Sequence, residues 1–250
     1  MKLFAALFDA IDQSTKTTTK VSALAEYFES APKQDRVWTI ALFSGRRPKR
    51  AITTTKLRAW AAEAAGIPLW LFEESYTVVG DLAETIALVL PDVTATDEAT
   101  LSHWINALRD ASDASEETQK AFVLGAWATL SNTERMVFNK LITGGFRVGI
   151  SQKLMTRALS RATGRPDAEM AHRLMGKWHP DTTTWYDLIE AEDTTADASR
   201  PYPFYLAYGL EAAPEALGPP ENWRAEWKWD GIRGQLIVRN GAHFVWSRGE

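Results

Sequence analysis

Apolar residues recur at one spacing over the first 190 residues and at another near the end, and that change constrains the fold more than any other feature. In 21–28, Val21, Leu24, Ala25 and Phe28 fall on one face of a helix. The pattern returns at 55–64, where Gly66 and Pro68 stop it, and at 81–90, which ends at Pro91. Residues 1–13 read as a short amphipathic helix. Further helices are predicted near 98–110, 116–130, 133–142, 151–163, 167–175 and 182–190, with caps at Thr133-Glu134 and Ser151-Gln152. No fixed-period repeat appears, so a helical solenoid is not expected. From 191 the chain turns small, polar and acidic up to Arg200-Pro201, a linker composition. Beyond it, 224–229, 232–239 and 243–247 read as strands, with Asn240-Gly241 as a hairpin turn. Three strands make a poor catalytic sheet on their own, so this part reads as the opening of a larger domain.

Composition narrows the setting. The 250 residues are 45% hydrophobic and 24% charged, as expected of a chain with a packed core. There is no run of 18 apolar residues, and Asp9 and Asp12 interrupt the N-terminal segment too early for a signal-peptide core, so neither a membrane span nor export is expected. The chain has no cysteine, which excludes disulfides and cysteine metal sites and fits a cytoplasmic location. Most of the eleven tryptophans are expected to be packing residues. A net charge of −4 makes any nucleic-acid contact a matter of local basic stripes.

The segment Glu226-Trp227-Lys228-Trp229-Asp230-Gly231-Ile232-Arg233 carries the most chemistry. Read as extended chain, it puts Glu226, Lys228 and Asp230 on one face and the two tryptophans on the other. A lysine between carboxylates suits a nucleophile that attacks a phosphate. At an ordinary pKa of about 10.4, only on the order of one lysine in a thousand is neutral at physiological pH. The proton must therefore be removed or the cation disfavoured. Two carboxylates work against that, so a bound divalent cation is expected to reverse the local balance.

A second constellation lies upstream. In 139–151, Gly144, Gly145 and Gly149 allow close backbone approach around Phe146-Arg147-Val148, and a helix beginning near Ser151 offers free N–H groups to a phosphate. Lys153, Arg157 and Arg161 follow at four-residue spacing on one helix face, suited to tracking a phosphate backbone. Gly45-Arg46-Arg47-Pro48-Lys49-Arg50 adds four positive charges in five residues. With no base-reading motif, phosphate and shape contacts are expected.

Lys228, Asp230 and Gly231 match the Lys-x-Asp-Gly signature of covalent nucleotidyltransferases. The segment around them resembles motif I of ATP-dependent DNA ligases, RNA ligases and mRNA-capping guanylyltransferases. The stretch 244–250 resembles the next ligase strand, whose arginine after serine would be Arg248, and 202–207 resembles the entry to the same domain. Residues 1–190, above all the turn at 144–149, resemble the helical DNA-binding domain of bacterial ATP-dependent DNA ligases.

The resemblance implies a mainly α fold in two parts. An all-helical DNA-binding bundle over 1–192 and a linker over 193–203 lead into the start of an α+β nucleotidyltransferase domain of ATP-grasp-like ligase type over 204–250. It implies nick sealing in duplex DNA through lysyl-AMP on Lys228, in repair, replication or recombination, with ATP and Mg²⁺ or Mn²⁺. Glu226, Asp230, Gly231, Arg233 and Arg248 would bind the nucleotide. Gly144, Gly145, Arg147, Gly149, Ser151, Lys153, Arg157, Arg161, Arg46, Arg47, Lys49 and Arg50 would face DNA. A monomer is expected. The later ligase motifs and the OB-fold domain lie outside residues 1–250, so the chain reads as an N-terminal portion, incomplete for ligation. RNA ligase or capping guanylyltransferase, and a non-catalytic helical DNA-binding module, are the alternatives.

Overall fold

The computed structural model describes residues 1–46, 48, 52–94, 96–146, 148–175, 178–191, 201, 209–210, 213–227 and 229–247. It divides the chain into two units, Met1–Ala191 and Glu192–Glu250. The expected linker at 193–203 lies, Pro201 apart, outside the described residues.

The first unit is helical. Its elements are α1 (Lys2–Asp12), α2 (Thr17–Ser30), α3 (Lys33–Phe43), α4 (Thr54–Ala65), α5 (Leu69–Val79), α6 (Leu82–Val89), α7 (Leu101–Asp110), α8 (Glu116–Thr129), α9 (Asn132–Thr143), α10 (Gln152–Thr163) and α11 (Asp167–Leu174). The helical spacing has its expected consequence in α2, where Val21, Leu24, Ala25 and Phe28 are all buried. In α1 the buried stripe is Phe4, Leu7, Phe8 and Ile11. The core is one continuous cluster drawn from α1 to α11.

Two helix expectations are corrected. Helix α9 is capped by Ser131 rather than at Thr133: the Ser131 side chain accepts from the Glu134 N–H while Glu134 Oε2 accepts from the Ser131 N–H at 3.1 Å, a reciprocal capping box. The helix expected over 182–190 is a single wide turn, Tyr186–Glu190. Thr184 Oγ1 accepts from the Asp187 N–H at 3.1 Å, so the threonine run caps that turn instead of extending it backwards.

Helix α9 is buried on nearly every side, including its polar residues. Asn139 accepts from Trp127 Nε1 at 2.8 Å, and Arg135 donates to the carbonyls of Trp127 (2.8 Å) and Pro91 (3.1 Å). Lys140 pairs with Asp81 at 2.7 Å, and the same Asp81 caps α6 by accepting from the Glu84 N–H. Burial alone would raise the Asp81 pKa. The hydrogen bond from Lys140, with those from the Glu84 and Ala83 backbone, holds it below the ordinary carboxylate value instead.

A buried carboxylate joins distant parts of the chain. Asp35, in the first turn of α3, accepts from the Leu101 N–H (3.0 Å), the Ser102 N–H (2.8 Å) and the Ser102 hydroxyl (2.6 Å). It therefore neutralises the positive end of α7 from another helix. Asp35→Ala strands those donors in the core and is expected to cost about 3 kcal/mol of unfolding free energy by urea denaturation. A loss under about 0.5 kcal/mol, the range of ordinary surface changes, would show that the bridge contributes little.

In the second unit, β1 (Gly234–Arg239) and β2 (Ala242–Ser247) form an antiparallel hairpin, with Leu236 opposite Val245 and Ile237 opposite Phe244. Asn240 and Gly241 both have positive φ, 51° and 78°, as a two-residue hairpin turn with right-handed strand twist requires. Of the strand expected over 224–229, the described residues lie outside the sheet, which pairs β1 with β2 alone among the described residues. The molecule is thus mostly helical with a small two-stranded sheet. No helix among the described residues is long and apolar enough to cross a membrane.

Candidate nucleic-acid interface

The glycine turn begins where α9 ends. Gly144 takes the left-handed conformation (φ 84°) and its N–H closes onto the Lys140 carbonyl at 2.7 Å, a helix stop that glycine adopts at no steric cost. Phe146 then turns inward against Phe4 and Phe8 of α1, with ring centroids 5.8 and 5.9 Å away. Val148 is buried too, and its carbonyl accepts from Lys20 Nζ of α2 at 2.6 Å. Gly149 is again left-handed (φ 68°). Two residues later Ser151 caps α10, its Oγ accepting from the Leu154 N–H at 3.2 Å. The turn is therefore fixed by inward side chains on both sides of Arg147, which itself lies outside the described residues.

Helix α10 separates its faces sharply. Leu154, Met155, Thr156, Ala158 and Leu159 are buried, while Lys153, Arg157 and Arg161 are exposed. Arg161 donates to Ser22 Oγ at 2.8 Å, which ties the end of the basic row to α2. Lys153 and Arg157 make no ion pair or hydrogen bond to other described residues. Cations without a partner among the described residues remain available to an outside anion.

Two cavities meet the turn, and their linings differ. Phe8, Asp12, Asp81, Glu84, Lys140 and Val148 line a cavity of about 510 Å³ with Gly144 and Gly145, so this lining is acidic. The other cavity is of about 360 Å³, and there Gly45 shares the wall with Gly144, Phe146 and Gly149. The fold thus brings Gly45, at the start of the basic segment, into one cavity wall with the glycine turn, about a hundred positions later in sequence. Of that segment's cations, Arg46 is half buried, donating to the Trp178 carbonyl at 2.6 Å with its guanidinium 4.1 Å from the Trp178 ring centre. Burial lowers its pKa. Arg47, Lys49 and Arg50 lie outside the described residues.

The expected nucleotide residues belong to the second unit. Glu226, Asp230 and Gly231 are exposed and Arg233 is half buried, while Lys228 and Arg248 lie outside the described residues. Trp227 and Trp229 are 86% and 80% exposed, so alternation here does not divide an inner face from an outer one. Among the described residues no group of three or more His, Asp or Glu side chains gathers to hold a metal ion.

Sequence reasoning missed Lys20 and the Arg46–Trp178 stack. Both join residues more than a hundred positions apart, and neither has a local signature.

The sequence of this helical unit matches a known family. The model of the DNA ligase N terminus matches residues 1–160, and the chain belongs to that family. Two relatives match nearly all of it. A protein of Koribacter versatilis (strain Ellin345) named "Probable DNA ligase" is 27% identical over 265 residues, covering 99% of this chain and 45% of the relative. One of the same name from Dictyoglomus thermophilum is 25% identical over 258 residues, covering 96% and 44%. The chain spans just under half the length of the curated relatives it matches.

Proposed function

We propose that the first unit grips the sugar-phosphate backbone of nicked duplex DNA and that the second contributes the nucleophile of an ATP-dependent DNA ligase. One observation carries the DNA reading: Lys153, Arg157 and Arg161 stand exposed in a row beside a glycine turn that is anchored from within. Family membership and the two relatives named as probable ligases support the reaction.

In that reaction Lys228 Nζ attacks the α-phosphorus of ATP. A nitrogen–phosphorus bond forms, the bond to pyrophosphate breaks and lysyl-AMP results. The 5′-phosphate oxygen at the nick would then attack the same phosphorus, breaking the nitrogen–phosphorus bond, so that the AMP passes to the DNA and Lys228 is freed. Finally the 3′-hydroxyl attacks that phosphate and AMP leaves. Glu226 would meet the adenine side, Asp230 would position the nucleotide or nick end, and Arg233 and Arg248 would bind ribose and phosphate. Their donor types suit ATP: carboxylates accept from the base and ribose, and guanidiniums pair with phosphate oxygens. Mg²⁺ would neutralise charge on the phosphates, and we assign it no protein ligand. The bacterial DNA ligase reading is favoured over RNA ligase or capping enzyme by the match to the DNA ligase N terminus.

The test is equilibrium binding of a labelled nicked duplex across a salt series. Three phosphate contacts give log K against log salt a slope of about −2.7 or steeper. A slope near zero, or no binding at 50 mM salt, would remove DNA from the reading.

A further inference from the structure

We infer that Lys20 is a positioning residue for DNA engagement, holding the turn before α10 in its binding shape; the inference rests on the DNA reading above. Lys20 lies in the first turn of α2, half buried, and its ammonium reaches the Val148 carbonyl at 2.6 Å across 128 positions of sequence. Its Nζ also lies against the Gly149 backbone: a Cβ added at Gly149 would come within 3.4 Å of it.

Those contacts act at a place where the backbone has little stiffness of its own. Gly144, Gly145 and Gly149 leave the turn free to sample conformations closed to other residues, so its shape depends on what its side chains and carbonyls hold. Phe146 fixes one end in the core against α1. Lys20 fixes the other by holding the Val148 carbonyl. The peptide unit is planar and trans, so directing that carbonyl at Lys20 also sets the Gly149 N–H in the opposite direction. Two residues later the chain enters the Ser151 cap, and α10 with its row of cations follows.

Without the Lys20 bond the turn is released, and binding must order it again, which lowers affinity without removing a phosphate contact. Lys20 therefore differs in kind from Lys153 or Arg157. It acts through the backbone, and its loss is expected to leave the counterion count unchanged.

The experiment compares the full chain with Lys20→Met, which keeps the apolar stem but not the donors, and with Lys20→Arg, which keeps both charge and donors. Nicked-duplex affinity and its salt slope are read together with the melting temperature and amide hydrogen exchange over 148–151. The expected result for Lys20→Met is about tenfold weaker binding at an unchanged slope, with faster exchange over 148–151 and a melting temperature within a few degrees of the parent. Lys20→Arg is expected to recover most of the affinity.

Parental affinity in Lys20→Met would overturn the inference. So would a slope reduced by about one unit, which would make Lys20 a direct phosphate ligand. Failure of the parent chain itself to bind duplex would overturn the DNA reading and this inference together, a result separable from the other two.

Discussion

Replacing Lys228 by alanine is expected to abolish covalent AMP on the protein, measured by mass spectrometry after incubation with Mg²⁺ and ATP labelled at the α-phosphate. Alanine has no nitrogen to form the bond. The more informative variant is Lys228→Arg, which keeps the positive charge and most of the length. A guanidinium, with a pKa above about 12, cannot give up its proton under these conditions, so it has no lone pair to offer. Label is expected to vanish here too. A role for Lys228 as a mere counter-charge to the phosphates would instead let arginine substitute. Both variants are expected to bind nicked duplex as the parent does, since the cations of α10 belong to the other unit. Label persisting in Lys228→Ala, or mapping to another lysine, would remove Lys228 as the nucleophile. Absence of label from the parent would mean that residues 1–250 do not perform this first step.

Much of the helical unit is legible in the sequence, and the reasons are local. Helices α2, α4 and α10 bury one stripe and expose the other, so their spacing shows at once. The turn at Asn240-Gly241 is equally local, because positive φ at two successive positions is a demand few residue pairs meet. Helices α3 and α5 are harder to see, for opposite reasons. α3 is buried almost all round and presents no polar stripe. α5 buries only Phe72 and exposes Trp70, Leu71 and Val78, so its apolar residues do not mark an inner face.

The candidate interface divides in the same way. The row Lys153, Arg157 and Arg161 follows from period 3.6 alone, and exposure of all three agrees with it. What holds the row in place does not follow from any period. Phe146 meets α1, Lys20 meets Val148, and Gly45 comes to line one cavity with Gly149, only after the bundle has closed. The expected strand at 224–229 shows the converse: alternation is a statement about one segment, and a strand is a relation between two.

Removing the charge of α10 outright is expected to have the largest effect on DNA binding. In the triple variant Lys153→Gln, Arg157→Gln, Arg161→Gln, the three proposed phosphate contacts would be lost at once. Each contact releases about 0.9 of a counterion, so the slope of log K against log salt should become shallower by roughly 2.7, and affinity at 0.1 M salt should fall roughly 500-fold. Stability should change little, because all three side chains are exposed and only Arg161 gives up a hydrogen bond, to Ser22. The lining of the cavity at Gly144 and Gly145 sharpens the test. That cavity carries Asp12 and Glu84, with Asp81 paired to Lys140, so it offers no net positive lining to replace the α10 row. Charge reversal in that lining, Asp12→Lys with Glu84→Lys, would leave the α10 row intact and is expected to strengthen binding and steepen the slope. A triple glutamine variant whose slope matches the parent would take α10 out of the interface, and the cations at 46–50 would then have to carry the contact.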